Sequence, residues 1–380
     1  MSKKIKIIIK NIIYRLVFRS FYYVCCVKWG IISKRVLCIE ERYLEASTKN
    51  FEQMIRQLSE KGYEIQWAVL ARNQVSRMHY FVNVFRMLKQ LARAEYVLLD
   101  ESDLAISYLN LRKETMVIQL WHGCGAFKKF GYSLKPELQE GYYSNYNLVT
   151  VSSPEVVTHF CDAMHLKKGT VRPTGVSRTD YFFDSSKQEN ARKKLEMVTG
   201  KQRGKKIILY APTFRGNVDD ARLPILFQIS DMYSALSENY IIVFKAHPAI
   251  KEKLSIDEKY QNFLLDVTEL MMVEELICGC DVYITDYSSV VFECSLMERP
   301  ILFYVYDLEE YGSERGFYYP YSELAPGPVC RNTSELIQEL MHIETYDIEH
   351  VRQFKDKFMS ACDGHATERI ISLLETRENL

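Results

Sequence analysis

Apolar residues along this chain fall into short unbroken runs separated by helical patterns, not into the in-and-out alternation of half-exposed strands. Arg35 to Ile39, Ile65 to Leu70, Tyr96 to Leu99, Met116 to Leu120 and Leu148 to Val151 read as strands. Lys49 to Lys61, Met78 to Arg93 and Pro154 to Met164 read as helices between or after them. A polar stretch from Ser185 to Lys206 holds a short helix and opens a second series, with strands at Ile207 to Ala211, Ile241 to Lys245, Asp281 to Thr285 and Pro300 to Tyr306. Such alternation predicts parallel sheets covered by helices. The expected architecture is therefore α/β, with two Rossmann-like doubly wound domains meeting near residue 190, over 31–187 and 188–380. Ligands of such sheets bind beyond the carboxyl ends of the strands.

The first 30 residues break this rhythm. Asn11, Arg15 and Arg19 recur every four residues as a polar stripe, flanked by Ile8, Ile12, Ile13, Leu16, Val17, Phe18 and Phe21. Nine basic residues lie between Lys3 and Arg35, and no acid precedes Glu40. Lys6, Lys10, Arg15 and Arg19 interrupt the apolar stretch before it reaches the ~18 residues that spanning requires. No small-residue cleavage pattern follows it. The pattern predicts an amphipathic helix lying in a membrane interface, its cations facing anionic headgroups of the inner leaflet. An ordinary core helix with exposed cations is the plainer alternative.

Length and charge narrow the class further. A chain of 380 residues, 47% hydrophobic, suggests about two cores. The net charge of zero, with its basic excess held at the N-terminus, leaves the remainder net acidic and speaks against a nucleic-acid surface. Ten cysteines occur without a C-x-x-C pair. Several lie in apolar runs, as reduced core cysteines do, which predicts a cytoplasmic setting and no zinc site.

Three strand ends carry candidate chemistry. His122 follows Met116 to Leu120 through Trp121 and precedes Gly123 and Gly125, which let the backbone turn tightly and a substrate approach. A neutral imidazole there can accept a proton from a hydroxyl, or simply cap the following turn. His247 ends a second strand before Pro248, with Lys245 on the same face. Ser288 and Ser289 open a helix expected over Ser289 to Met297, where unpaired N–H groups and two hydroxyls suit an anion, although capping alone also selects serine. Thr213 and Arg215 follow the strand Ile207 to Ala211, and an arginine fork suits phosphate.

Trp121-His122-Gly123, Tyr210-Ala211-Pro212-Thr213-Phe214-Arg215, Phe244-Lys245-Ala246-His247-Pro248, Thr285-Asp286-Tyr287-Ser288-Ser289 and Arg315-Gly316-Phe317-Tyr318 occur in this order. In these motifs the chain resembles the CDP-glycerol glycerophosphotransferase family, the primases and polymerases of wall teichoic acid. The resemblance implies a glycosyltransferase-B fold with the donor bound by the C-terminal half. It implies His122 as general base and His247 as the group that stabilises the phosphoryl group or the departing CMP. Lys245, Ser288, Ser289, Thr213, Arg215 and Arg315 become donor contacts, Glu293 a ribose contact, and Gly123 and Gly125 the acceptor-side wall. Asp286 is expected to position His247 or a backbone loop.

The implied reaction moves glycerol phosphate, or ribitol phosphate, from its CDP derivative to a hydroxyl of an undecaprenyl-type lipid-linked saccharide and releases CMP. The CDP-polyol is substrate, no cofactor or metal is called for, and a homo-oligomer is compatible with the chain. Many relatives continue Trp-His-Gly with Thr-Pro-Leu, whereas Cys124-Gly125-Ala126 stands here, so the acceptor wall differs. A membrane-associated nucleotide-sugar glycosyltransferase and a non-catalytic partner of a wall-assembly complex are the competing classes.

Overall fold

The computed structural model describes residues 12–41, 50–72, 74–138, 141–200, 204–216, 220–224 and 226–377, and for 314 and 315 the backbone alone. Two six-stranded sheets, every strand pair parallel, form two compact units. The first sheet is ordered β2-β1-β3-β4-β5-β6. Its strands are β1 (Ile32–Glu40), β2 (Glu64–Val69), β3 (Ala94–Leu99), β4 (Met116–Gln119), β5 (Leu148–Thr150) and β6 (Val171–Arg172). The second is ordered β12-β11-β10-β7-β8-β9. It comprises β7 (Lys206–Tyr210), β8 (Tyr240–Phe244), β9 (Leu264–Asp266), β10 (Val282–Thr285), β11 (Ile301–Tyr304) and β12 (Val329–Cys330). The apolar runs of β3, β4, β8, β10 and β11 are almost entirely buried, as parallel strands covered on both faces must be.

The division differs from the expected one in two ways. The first unit comprises Met1–His122, Phe130–Asp180 and Ala361–Leu380, and the second Gly123–Lys129 and Tyr181–Ser360. The last helix, Ala366–Thr376, thus belongs with the first sheet and not with 188–380. Its Ile370, Ile371 and Leu374 are buried in one cluster with Val36, Cys38, Phe51 and Leu58. Full burial of each is worth about 1.5–3 kcal/mol. The amides of Ala366 and Thr367, at the helix start, donate to the two oxygens of Asp180 at 3.0 and 2.8 Å. That satisfies two N–H groups that would otherwise be orphaned.

The N-terminal segment also departs from a single regular helix. Lys3 to Asn11 lie outside the described residues. Ile13–Phe18 is π-helical and leads into an α-helix at Arg19–Lys28. The wider turn re-phases the faces, so Tyr14, Phe18, Tyr22 and Cys25 turn inward. Phe18 and Phe21 pack edge-on against Phe85 of the helix Arg77–Leu91. Arg19 leaves the expected polar stripe because its guanidinium donates twice to the Tyr108 carbonyl, at 3.2 and 2.8 Å. Ile12, Leu16, Val17, Tyr23, Val24 and Val27 remain exposed. Among the described residues no helix is long and apolar enough to cross a membrane.

Candidate active site

His122 stands just past β4. Trp121, before it, has φ 61°, a left-handed conformation costly for a bulky side chain. Three rings hold it there. The indole stacks on the His122 ring at 4.7 Å and meets Phe130 at 5.2 Å and Phe160 at 5.9 Å. The fully buried Gln119 side chain fixes the backbone on both sides. Its amide donates to the Glu101 carbonyl at 2.9 Å, and its oxygen accepts the Trp121 N–H at 3.0 Å. His122 Nδ1 lies 3.2 Å from the Asp100 carbonyl and 3.2 Å from Glu101 Oε1. A carbonyl only accepts, so Nδ1 carries the proton and Nε2 keeps the lone pair.

Carboxyl groups crowd the neighbouring strand ends. Glu40 and Glu41 follow or end β1, and Asp100, Glu101 and Asp103 follow β3. Burial pushes the Asp100 carboxyl up to about 7. The Asn50 amide, 3.0 Å away, opposes that shift, and Glu40 and Glu101 add to it. Burial, with Asp103 beside it, likewise pushes the Glu41 carboxyl up. These acids belong to none of the motifs, although Leu99-Asp100-Glu101 is another apolar run that releases polar residues at its end.

In the second unit β10, β7 and β8 are neighbours, so Ser288 and Ser289, Thr213 and His247 emerge at the carboxyl edge of three adjacent strands. His247 is exposed, and its Nδ1 accepts the Ala249 N–H at 3.1 Å. The neutral ring therefore carries its proton on Nε2 and presents a donor. Phe214 lies against it, 4.8 Å between centroids. Thr213 is 4% exposed, and its Oγ1 has no hydrogen-bond partner among the described residues.

The helix after β10 runs over Val290–Ser295, shorter than expected. Its first amides are occupied locally: Val290 N–H by Ser288 Oγ at 3.3 Å, Val291 N–H by the Ser288 carbonyl at 3.3 Å and Phe292 N–H by the Ser289 carbonyl at 3.1 Å. The half-buried serine hydroxyls, not free amides, are what this turn presents.

Several expected contacts are spent elsewhere. Arg215 donates to both oxygens of Asp307, at 2.6 and 3.0 Å, and to Asp286 at 2.9 Å. The rings of Tyr287, Tyr306 and Tyr311 lie 5.2–5.3 Å from its guanidinium carbon. These contacts tie it into the fold of this unit. Asp286 also accepts the Thr213 N–H at 2.8 Å, which is the loop-positioning half of what was expected of it. Lys245 Nζ donates to the Thr268 and Met271 carbonyls at 2.5 and 2.7 Å and is committed to the turn after β9. Glu293 is 1% exposed and offers no open face to a ribose. The Arg315 side chain lies outside the described residues.

The segment Gly123–Lys129 belongs to the second unit. A Cβ at Gly123 would sit 3.7 Å from Ser289 Oγ, so this backbone runs beside that hydroxyl. Gly125, at φ 63°, is buried, and a Cβ there would fall 2.2 Å from the Phe292 ring. Close packing, not substrate access, requires that glycine. Lys128 bridges Phe317 in antiparallel fashion, and Lys129 N–H donates to the Gly316 carbonyl at 3.1 Å. Lys128 and Lys129 and the Arg-Gly-Phe-Tyr motif, distant in sequence, thus share one pairing.

Two doubly wound parallel units with polar side chains gathered at strand carboxyl ends define an α/β fold of glycosyltransferase-B type. Residues 31–376 match the model of the CDP-Glycerol:Poly(glycerophosphate) glycerophosphotransferase family, and the chain belongs to that family. It is 35% identical over 316 residues to the teichoic acid ribitol-phosphate primase of Bacillus spizizenii, covering 80% of each chain. It is 32% identical over 350 residues to the teichoic acid poly(ribitol-phosphate) polymerase of the same organism, covering 90% of this chain but 56% of the polymerase. The chain thus spans little more than half of that longer relative. A structure of the wall teichoic acid polymerase TagF shares the fold, with a TM-score of 0.77 at 23% identity, over 97% of this chain and 96% of that one.

Proposed function

We propose that the protein transfers a polyol phosphate from a CDP-polyol to a hydroxyl of a lipid-linked saccharide, releasing CMP, in the synthesis of a teichoic acid or a related wall polymer. The orientation of His122 carries the reading: with Nδ1 held by the Asp100 carbonyl and Glu101, the lone pair that can take a proton lies on Nε2. The acceptor oxygen bonds to the phosphorus that bears the polyol and its proton passes to Nε2. The bond from that phosphorus to the bridging oxygen breaks, and CMP leaves with the electron pair. His247 Nε2–H and the hydroxyls of Ser288, Ser289 and Thr213 supply donors to the diphosphate. Such contacts matter because phosphoryl transfer is chiefly positioning and charge stabilisation.

Glycerol is the polyol named in the family's description. Ribitol is the second reading, favoured by the likeness to a ribitol-phosphate primase. CMP release from CDP-glycerol, CDP-ribitol and UDP-sugars, with a lipid-linked disaccharide in detergent, separates these readings. Release from one CDP-polyol, falling about 10²–10⁴-fold in His122→Ala, is the expected result. Release from UDP-sugars alone, or indifference to His122, would sink the reading. With charge stabilisation borne by the protein, activity is expected to survive EDTA. Its abolition, with recovery on adding a divalent ion, would place a metal on the diphosphate.

The exposed apolar row Ile12, Leu16, Tyr23, Val24 and Val27, with Arg15 and Lys28 on the same segment, supports peripheral attachment to an anionic cytoplasmic leaflet, where a lipid-linked acceptor resides.

A further inference from the structure

We propose that Glu101 is the positioning residue of the acceptor-activating base: its carboxylate orients the His122 imidazole and stabilises the imidazolium formed when Nε2 takes the acceptor proton. The proposal rests on the reading of His122 as that base. The Asp100 carbonyl alone would fix the tautomer, since it lies 3.2 Å from Nδ1. Glu101 Oε1, also at 3.2 Å, adds a negative charge. The carboxylate side chain is 15% exposed and the imidazole 41%, so the acid is the more buried member of the pair.

The surroundings make this an arranged pair. Gln119 bonds the Glu101 carbonyl with one end of its amide and the Trp121 N–H with the other. One buried side chain therefore locks the two backbone segments that carry acid and base. The left-handed Trp121 between Gln119 and His122 is strain tolerated where it aims a functional group. A carboxylate holding Nδ1–H while Nε2 works is a recurrent solution for histidine bases.

Glu101→Gln in the full chain, assayed for CMP release from a CDP-polyol, is expected to lower kcat about 10–100-fold. The donor KM should not change, because no donor contact is altered. Losing the nearby charge favours the neutral ring, so the acidic limb of the kcat–pH profile is expected to move roughly 0.5–1 unit to lower pH. Asp100, Asp103, Glu40 and Glu41, the other acids at these strand ends, are common to both proteins. Glu101→Asp keeps the charge and is expected to leave the limb near its wild-type position. A limb that stays put in Glu101→Gln, or an unchanged kcat, would overturn the proposal.

NMR titration of the His122 ring in substrate-free protein removes dependence on the reaction. A lower midpoint in Glu101→Gln supports the pair, and an identical midpoint overturns it, even if no CDP-polyol proves to be a substrate. Absence of CMP release by the wild type would fell the functional reading alone.

Discussion

Arg215 and His247 sit at the ends of neighbouring strands yet spend their polarity differently. Arg215 is 17% exposed and satisfied by two carboxylates. The His247 ring is exposed, with its Nδ1 bonded locally. Removing one member of a part-buried ion pair leaves the others uncompensated. Arg215→Ala is therefore expected to destabilise the second unit by about 3 kcal/mol, read as a lower urea midpoint. Unchanged stability with a raised donor KM would return this arginine to the phosphate. Sequence could not make the distinction, because Arg215 and Lys245 each look like a cation released at a strand end. The partners that claim Arg215 lie 71 and 92 positions away, and those that claim Lys245 lie 23 and 26 away. The place of His122 was legible because it follows directly on one apolar run. Glu101 was not, because the contact joins β3 and β4, and no local pattern states which strands are adjacent.

Elements were legible where burial was continuous. The runs at β1, β3, β4, β7, β8, β10 and β11 announced themselves, whereas the edge strands β6, β9 and β12, of two or three residues each, are too short for any period to register. The turns after β1 and β3 hold a feature invisible in sequence, the buried acids Glu41 and Asp103 side by side. Burial and this neighbour raise the Glu41 carboxyl above its unfolded value, so the native state binds more protons than the unfolded chain. Stability then falls as pH rises from the ordinary carboxylate range towards the raised native value. Glu41→Gln, which cannot ionise, is expected to raise Tm by a few degrees at pH 8.5 and by less at pH 5.5. Equal shifts at the two pH values in calorimetry would contradict the raised carboxyl.

At the scale of the whole molecule the sequence rhythm predicted two doubly wound sheets, and two are present. It misplaced the ownership of their ends, because a C-terminal amphipathic helix carries no mark of which sheet it will cover. The exposed row on the N-terminal helices makes the remaining prediction. Leu16→Ser, Val24→Ser and Val27→Ser together are expected to weaken binding to vesicles containing an anionic phospholipid by roughly two orders of magnitude, from about 1 kcal/mol of partial burial per side chain. Flotation that is unaffected by the triple change would remove this face from any membrane contact.

The return of Ala366–Thr376 to the first sheet bears on how the polypeptide is made. During vectorial synthesis the first sheet emerges early but waits for residues 366–376 before its apolar surface is covered. The second unit, though encoded later, has all its parts once residue 360 has appeared. The earlier-encoded unit therefore cannot complete its core until the last residue of the later-encoded one has been made.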